Sequence, residues 1–343
     1  MLPGMSESKA MILGAAGLRL GADEIAFYRE HRPWGFILFA RNIAEAGQVR
    51  DLVAAMRDSV GRPDAPVLVD QEGGRVQRLR PPLAADYPPA AALGALYRAD
   101  AELGLRAAWL MSRLHAFDLA RLGISADCLP VLDVRQPGTH DVIGNRSYGE
   151  DAAAVAALGR AAADGLVAGG ILPVMKHVPG HGRATADSHR ELPRVAAALA
   201  ALRACDFVPF RALADLPMAM TAHLVYEAVD AARPATVSPR VIADIVRGEI
   251  GFDGLLMSDD LSMHALSGDF GERAAAVLAA GCDVVLHCNG VMQEMRAVAE
   301  AVAPLAGAAL ARAERALAFR RACDATAEDA ARAEFARCVA AAA

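Results

Sequence analysis

Between Lys176 and His189 the chain reads KHVPGHGRATADSH, so that three histidines, an aspartate and a lysine share fourteen positions with Pro179, Gly180 and Gly182. Titratable groups at this density among turn-forming residues are site chemistry on a loop. Asp187 stands two residues before His189. A carboxylate so placed can accept a hydrogen bond from one ring nitrogen, fix the tautomer and leave the other nitrogen to exchange a proton, and an imidazole with an ordinary pKa near ~6.5 suits general acid/base work at neutral pH.

A second reactive pair, Asp259 and Asp260, sits in GFDGLLMSDDLSM. On a strand, alternation puts Leu255, Met257 and Asp259 on one face and Leu256, Ser258 and Asp260 on the other, so one carboxylate should aim into a site. Parity does not say which, and the competing role is to cap the helix that follows, a task that fits Asp260 better than Asp259. Zinc is a third chemistry to weigh, because His177, His181, His189 and His223 lie among several carboxylates. His177 and His181 fall on a Pro/Gly loop, however, and no H-E-x-x-H is present, so neither a metal nor another cofactor is expected. Pro179-Gly180-His181-Gly182 is not a phosphate-cradling G-x-x-x-x-G-K-[ST] loop.

The elements that must hold these groups show as short apolar runs: Ala10 to Gly14, Gly35 to Phe39, Pro66 to Asp70, Ile124 to Val134, Ile171 to Lys176, Pro217 to His223, Gly254 to Asp259 and Cys282 to Cys288. Between them lie helical patterns, among them Ala44 to Val60, Ala101 to Leu122, Ala152 to Ala168, Pro239 to Glu249 and Gly271 to Ala280. Eight strand candidates alternating with helices predict a parallel sheet closed as an α/β barrel of the (β/α)8 type. In that fold chemistry gathers at the C-terminal ends of the strands. Asp70 to Arg75, Asp133, Lys176-His177, His223 and Asp259-Asp260 all follow such ends, five ends rather than the single switch point of an open sheet. The Ala-rich segment after Asn289 reads as the last barrel helix followed by packing helices from about residue 305, and no second domain is expected.

Composition sets the outer limits. A chain of 343 residues with 55% hydrophobic and 22% charged residues can bury a large core. Its net charge of −6 argues against a nucleic-acid partner. The cysteines at 128, 205, 282, 288, 323 and 338 form no C-x-x-C pair and read as thiols in a reducing compartment. No apolar run reaches the ~20 residues of a membrane span, and no secretory leader is evident. The expectation is a soluble, cytoplasmic monomer without a membrane partner.

Taken together, LVDQEGGRVQRL, NRSYG, KHVPGHG, DSH with the following LP, MTAHLVY and GFDGLLMSDDLSM resemble the glycoside hydrolase family 3 β-N-acetylhexosaminidases of the bacterial cell-wall recycling type. The likeness runs from about Gly35 to about Asn289 with the motifs in order, and the length matches the single-barrel members. It implies a retaining exo-β-N-acetylglucosaminidase that acts on muropeptides carrying 1,6-anhydro-N-acetylmuramic acid. By matching motifs, Asp259 is implied as nucleophile, His189 as general acid/base with Asp187 as its partner, and Asp70, Arg78, Arg146, Lys176 and His177 as the groups that bind N-acetylglucosamine. His181 and Asp260 are implied to support them. Val178 in place of an aromatic residue, and Arg183-Ala184-Thr185 in place of an acidic start to the loop, depart from the commonest pattern but spare these groups. A phosphorylase, a β-glucosidase, a zinc hydrolase and a non-catalytic sugar-binding barrel are the rival readings.

Overall fold

The computed structural model describes residues 7–184 and 192–341. Its eight barrel strands are β1 (Lys9–Leu13), β2 (Pro33–Leu38), β3 (Val67–Val69), β4 (Ala126–Asp127), β5 (Leu172–Val178), β6 (Met218–Thr221), β7 (Leu255–Asp260) and β8 (Val284–His287). Each pairs in parallel with its neighbours in chain order, and β8 closes on β1. The strands are buried on both faces, Met11, Phe36, Leu68, Val174, Met218, Leu256 and Val285 among them. This is why they read as continuous apolar runs rather than as alternation. The predicted (β/α)8 barrel is the observed fold.

Two elements differ from expectation. The run from Ile124 to Val134 supplies a strand of only two residues, because the Leu129 N–H turns back to the Asp127 carbonyl at 2.8 Å and Pro130 then has no N–H to resume the ladder. The chain still follows β5 beyond it: Val174 and Lys176 donate to the carbonyls of Leu129 and Pro130 at 3.0 Å each, and Leu132 donates to the Lys176 carbonyl at 2.7 Å. The pattern from Pro239 to Glu249 is a π-helix, Val241–Glu249, rather than an α-helix. Shorter helices also flank the barrel at Ala22–His31, Ala90–Ala99, Leu199–Ala204 and Val208–Ala212. They are too short, or too mixed in polarity, to stand out from sequence periodicity.

Local signals end the longer helices. Phe270–Ala280 opens with a reciprocal capping box between Asp269 and Glu272 and closes at Gly281, where φ is 110°, a conformation glycine adopts without penalty. After the last barrel helix, Met292–Ala301, come Gly307–Ala318 and Glu328–Ala340. Ion pairs fasten these two and the segment between them to the barrel and its helices: Arg312 to Asp253 and Asp283, Arg113 to Asp324, Arg106 to Glu334, and Arg332 to the buried Asp118. All six cysteines are free thiols, with Cys323 exposed. No helix among the described residues is long and apolar enough to cross a membrane.

Candidate active site

At the end of β3 the chain turns into a small antiparallel hairpin, Gln71–Gly73 against Val76–Gln77. Buried Gln71 braces it: its side-chain oxygen accepts from the N–H groups of Arg78 and Leu79 at 3.1 and 3.0 Å, and its own backbone N–H donates to the Asp127 carboxyl at 3.0 Å. The brace presents Asp70, Glu72 and Arg78 together. Arg78 Nη2 lies 2.9 Å from Asp70 Oδ2, and its guanidinium rests over the Phe39 ring at 4.9 Å. Lys176 Nζ, from β5, reaches Asp70 Oδ1 at 2.8 Å and Glu72 Oε1 at 2.6 Å. Arg146 ends this chain of pairs with a bidentate contact to Glu72, 2.8 and 2.7 Å.

These five groups carry three positive and two negative charges in a space where an unpaired ion would be costly. Burial works to raise the carboxyl pKa values, but Lys176 and Arg78 hold Asp70 well below its ordinary range, and Arg146 with Lys176 brings Glu72 to about 2. Burial likewise works against the Lys176 ammonium, yet Asp70 and Glu72 push its pKa upward. The network is therefore fully ionised at neutral pH, with a carboxylate beside every cation and one positive charge in surplus. Glu72 lies in a cluster visible in the sequence, but its role as the link between Arg146 and Lys176 was not.

The β5 end contributes Lys176 and His177, adjacent residues that both line the pocket. Strict alternation would send them to opposite sides. A bulge between Lys176 and Val178 against β6 breaks the alternation there. His177 Nδ1 meets Asp133 Oδ2 at 2.7 Å, while Asp133 Oδ1 accepts the backbone N–H groups of His177 and His181 at 3.2 and 2.6 Å. Burial raises the Asp133 carboxyl, but the two histidines and these N–H bonds bring it down to about 2. An ionised Asp133 takes the proton-bearing Nδ1 of His177, which leaves Nε2 as the ring nitrogen available to a ligand. His181, buried behind His177, has its pKa lowered to about 4 by burial and by His177. Asp133 ends the fourth apolar run, and that position was the one sequence signal for it.

At the end of β7 the alternation argument fails in the same manner. Met257 to Asp260 is four residues where the paired stretch of β8, Val284 to Leu286, is three, and this bulge lets both Asp259 and Asp260 line the pocket. The two carboxylates are nevertheless unlike. Asp260 Oδ1 accepts from the N–H groups of Ser262 and Cys288 at 3.1 Å each, and Oδ2 accepts from the Ser262 hydroxyl. It fixes a turn, whereas Asp269 caps the following helix. Among the described residues Asp259 accepts from the Asp260 N–H alone, at 2.8 Å through Oδ1. Burial raises the Asp259 carboxyl, but His223, His177, the Asp260 N–H and Lys176 outweigh it and leave its pKa below the ordinary value. Buried His223 does not line the pocket; its Nε2 lies 3.0 Å from the Asp260 carbonyl and its Nδ1 2.7 Å from the Thr236 hydroxyl.

Asp70, Arg78, Arg146, Lys176, His177 and Asp259 thus converge on one cavity of about 540 Å³. Arg75, from the polar cluster after the third run, lines it too, with His140 and Asp141, neither of which the sequence singled out. Asp187 and His189 lie outside the described residues. The ends of the loop that carries them are anchored. Arg183 Nε pairs with buried Asp206 at 2.7 Å and the Tyr226 hydroxyl donates to the Gly180 carbonyl at 2.5 Å. On the far side Arg194–Val195 pairs with Val225–Tyr226. An ionised, lightly bonded carboxylate at the floor of a pocket lined by matched charges is suited to attack on a polar, uncharged molecule.

The chain matches the glycosyl hydrolase family 3 N terminal domain over residues 19–318. It is 41% identical over 283 residues to a beta-hexosaminidase of Alkalilimnicola ehrlichii, covering 81% of this chain and 80% of that one. It is 41% identical over 283 residues to a beta-hexosaminidase of Pseudomonas aeruginosa, covering 82% of each. Among solved structures it resembles NagZ from Neisseria gonorrhoeae in complex with N-trifluoroacetyl-D-glucosamine, with a TM-score of 0.87, 32% identity and coverage of 98% of this chain and 99% of that one.

Proposed function

The chain belongs to glycosyl hydrolase family 3, and from that premise we propose that it is a retaining exo-β-N-acetylglucosaminidase. Its substrates on this reading are cytoplasmic muropeptides ending in 1,6-anhydro-N-acetylmuramic acid, from which it removes the terminal N-acetylglucosamine. The observation that carries the proposal is Asp259: an ionised carboxylate with one backbone partner among the described residues, lining a pocket in which Lys176, Arg146 and Arg78 are each paired with a carboxylate.

The reaction proceeds in two steps. In the first, Asp259 attacks the anomeric carbon as His189 protonates the departing glycosidic oxygen, giving a covalent glycosyl-enzyme. In the second, His189 takes a proton from water, which displaces Asp259 with net retention. Asp187 orients His189. Asp70, Arg78, Arg146, Lys176 and His177 hold the sugar hydroxyls and the N-acetyl group. Retaining glycosidases usually set a second carboxyl about 5–5.5 Å from the nucleophile. Asp260 is poorly suited to that part, since both its oxygens are engaged, and this supports giving the proton to a histidine.

Turnover of an aryl N-acetyl-β-glucosaminide beside the matching β-glucoside, with and without phosphate and a chelator, tests the reading. The N-acetyl substrate should be cleaved at least tenfold faster, with free N-acetylglucosamine as product under every condition. A preference for the glucoside, a sugar phosphate product or inhibition by chelator would each contradict it.

A further inference from the structure

The charges of the pocket are matched in its depth and unmatched at its mouth. Lys176, Arg146 and Arg78 each have a carboxylate within 2.9 Å. Arg75 lines the same pocket but is exposed, and among the described residues no carboxylate pairs with it. It is not a loose surface arginine. Its Nη2 donates to the carbonyls of Asp141 and Val142 at 2.8 and 2.5 Å and approaches that of Ile143 at 3.5 Å. One corner of the guanidinium is thereby fixed, and its remaining N–H groups have no hydrogen-bond partner among the described residues. The same loop adds a second donor. His140 Nδ1 accepts the Val142 N–H at 3.0 Å, which makes Nδ1 the unprotonated nitrogen and puts the proton of a neutral ring on Nε2. The Asp141 carboxylate, the acidic group on this wall, lies 3.4 Å from Arg135.

We propose that Arg75, assisted by His140, forms an outer subsite that recognises a carboxylate on the leaving group. The inference rests on the exo-acting reading above. In a pocket closed at its base the non-reducing sugar occupies the depth, so the group that departs must lie at the mouth, where the fixed guanidinium waits. An arginine held in place loses little freedom when it takes a carboxylate through two N–H bonds. Each inner cation already has a carboxylate partner, and ionised Asp259 offsets the one surplus positive charge of that network, so discrimination between acidic and neutral leaving groups belongs to the lip.

The test compares three substrates with wild type, Arg75→Gln and Arg75→Lys: an N-acetylglucosaminyl-1,6-anhydromuramoyl peptide with its carboxylates free, the same molecule with those carboxyls amidated, and an aryl N-acetyl-β-glucosaminide. Wild type should favour the free acid over the amide, and added salt should shrink the preference because the lip is exposed. Arg75→Gln should lower kcat/KM for the acid about tenfold, through KM, and leave the other two within about twofold. Arg75→Lys should keep part of the preference, since it keeps the charge. Equal loss on all three substrates, or an acid preference that survives in Arg75→Gln, overturns the inference. If wild type cleaves none of them, the glycosidase reading has failed instead, and titration calorimetry with the carboxylate-bearing product sugar decides the lip. Binding lost in Arg75→Gln then supports the subsite, and equal binding overturns it.

Discussion

Glu72 is 3% exposed and takes hydrogen bonds from Arg146 through both oxygens while Lys176 lies 2.6 Å away. Replacing it with glutamine keeps the shape and removes the charge, leaving Arg146 without its carboxylate partner and Lys176 sharing Asp70 with Arg78. Breaking a buried ion pair from one side costs roughly 3–5 kcal/mol. Glu72→Gln should therefore lower Tm clearly and raise KM for an aryl N-acetyl-β-glucosaminide at least tenfold; an unchanged Tm and KM would remove Glu72 from its linking role. Its importance was hidden in the sequence for a simple reason. Arg146 is 74 residues away along the chain, and nothing in the local spelling of Asp70-Gln71-Glu72 says which carboxylate faces which cation. Asp133 was hidden likewise, since its partners, His177 and the His181 N–H, are brought to it only by closure of the barrel.

Among the elements, the two bulges decide which neighbours can share the pocket. Alternation along a regular strand allows one of Asp259 and Asp260, and one of Lys176 and His177, to face inward. The register shifts in β7 and β5 admit both members of each pair. Bulges depend on how two strands pair, which a single segment does not encode. The loop after β5 rests on an equally close fit. A Cβ on Gly182 would fall 1.8 Å from the Val134 carbonyl oxygen, and the Gly182 carbonyl accepts from Gln136 at 3.3 Å. Gly182→Ala must push the His177 to Ala184 segment off the chain beyond β4. Overpacking of this kind costs about 1–3 kcal/mol, so Tm should fall and kcat/KM should drop at least tenfold. Gly17→Ala, where an added Cβ meets nothing within 4 Å, is the control. Wild-type kcat/KM in Gly182→Ala would show that the loop does not depend on that contact.

At the scale of the whole molecule the barrel was legible because each strand is buried on both faces and so is spelled as an unbroken apolar run. All eight runs became strands, and the five polar clusters after them lie at one end of the barrel, as a (β/α)8 fold demands. The lip loop from 135 to 149, which carries His140 and Arg146, has no periodic spelling and was legible only at Arg146, through family resemblance. The central claim is that this scaffold holds Asp259 as a nucleophile that becomes covalently attached to the sugar. The most direct measurement is intact-protein mass spectrometry after reaction with a 5-fluoro-N-acetylglucosaminyl fluoride, followed by peptide mapping. The account predicts a mass gain of one fluorosugar per chain, located on Asp259 and absent from Asp259→Ala. Label on Asp260, or steady turnover with no residue labelled, would contradict it.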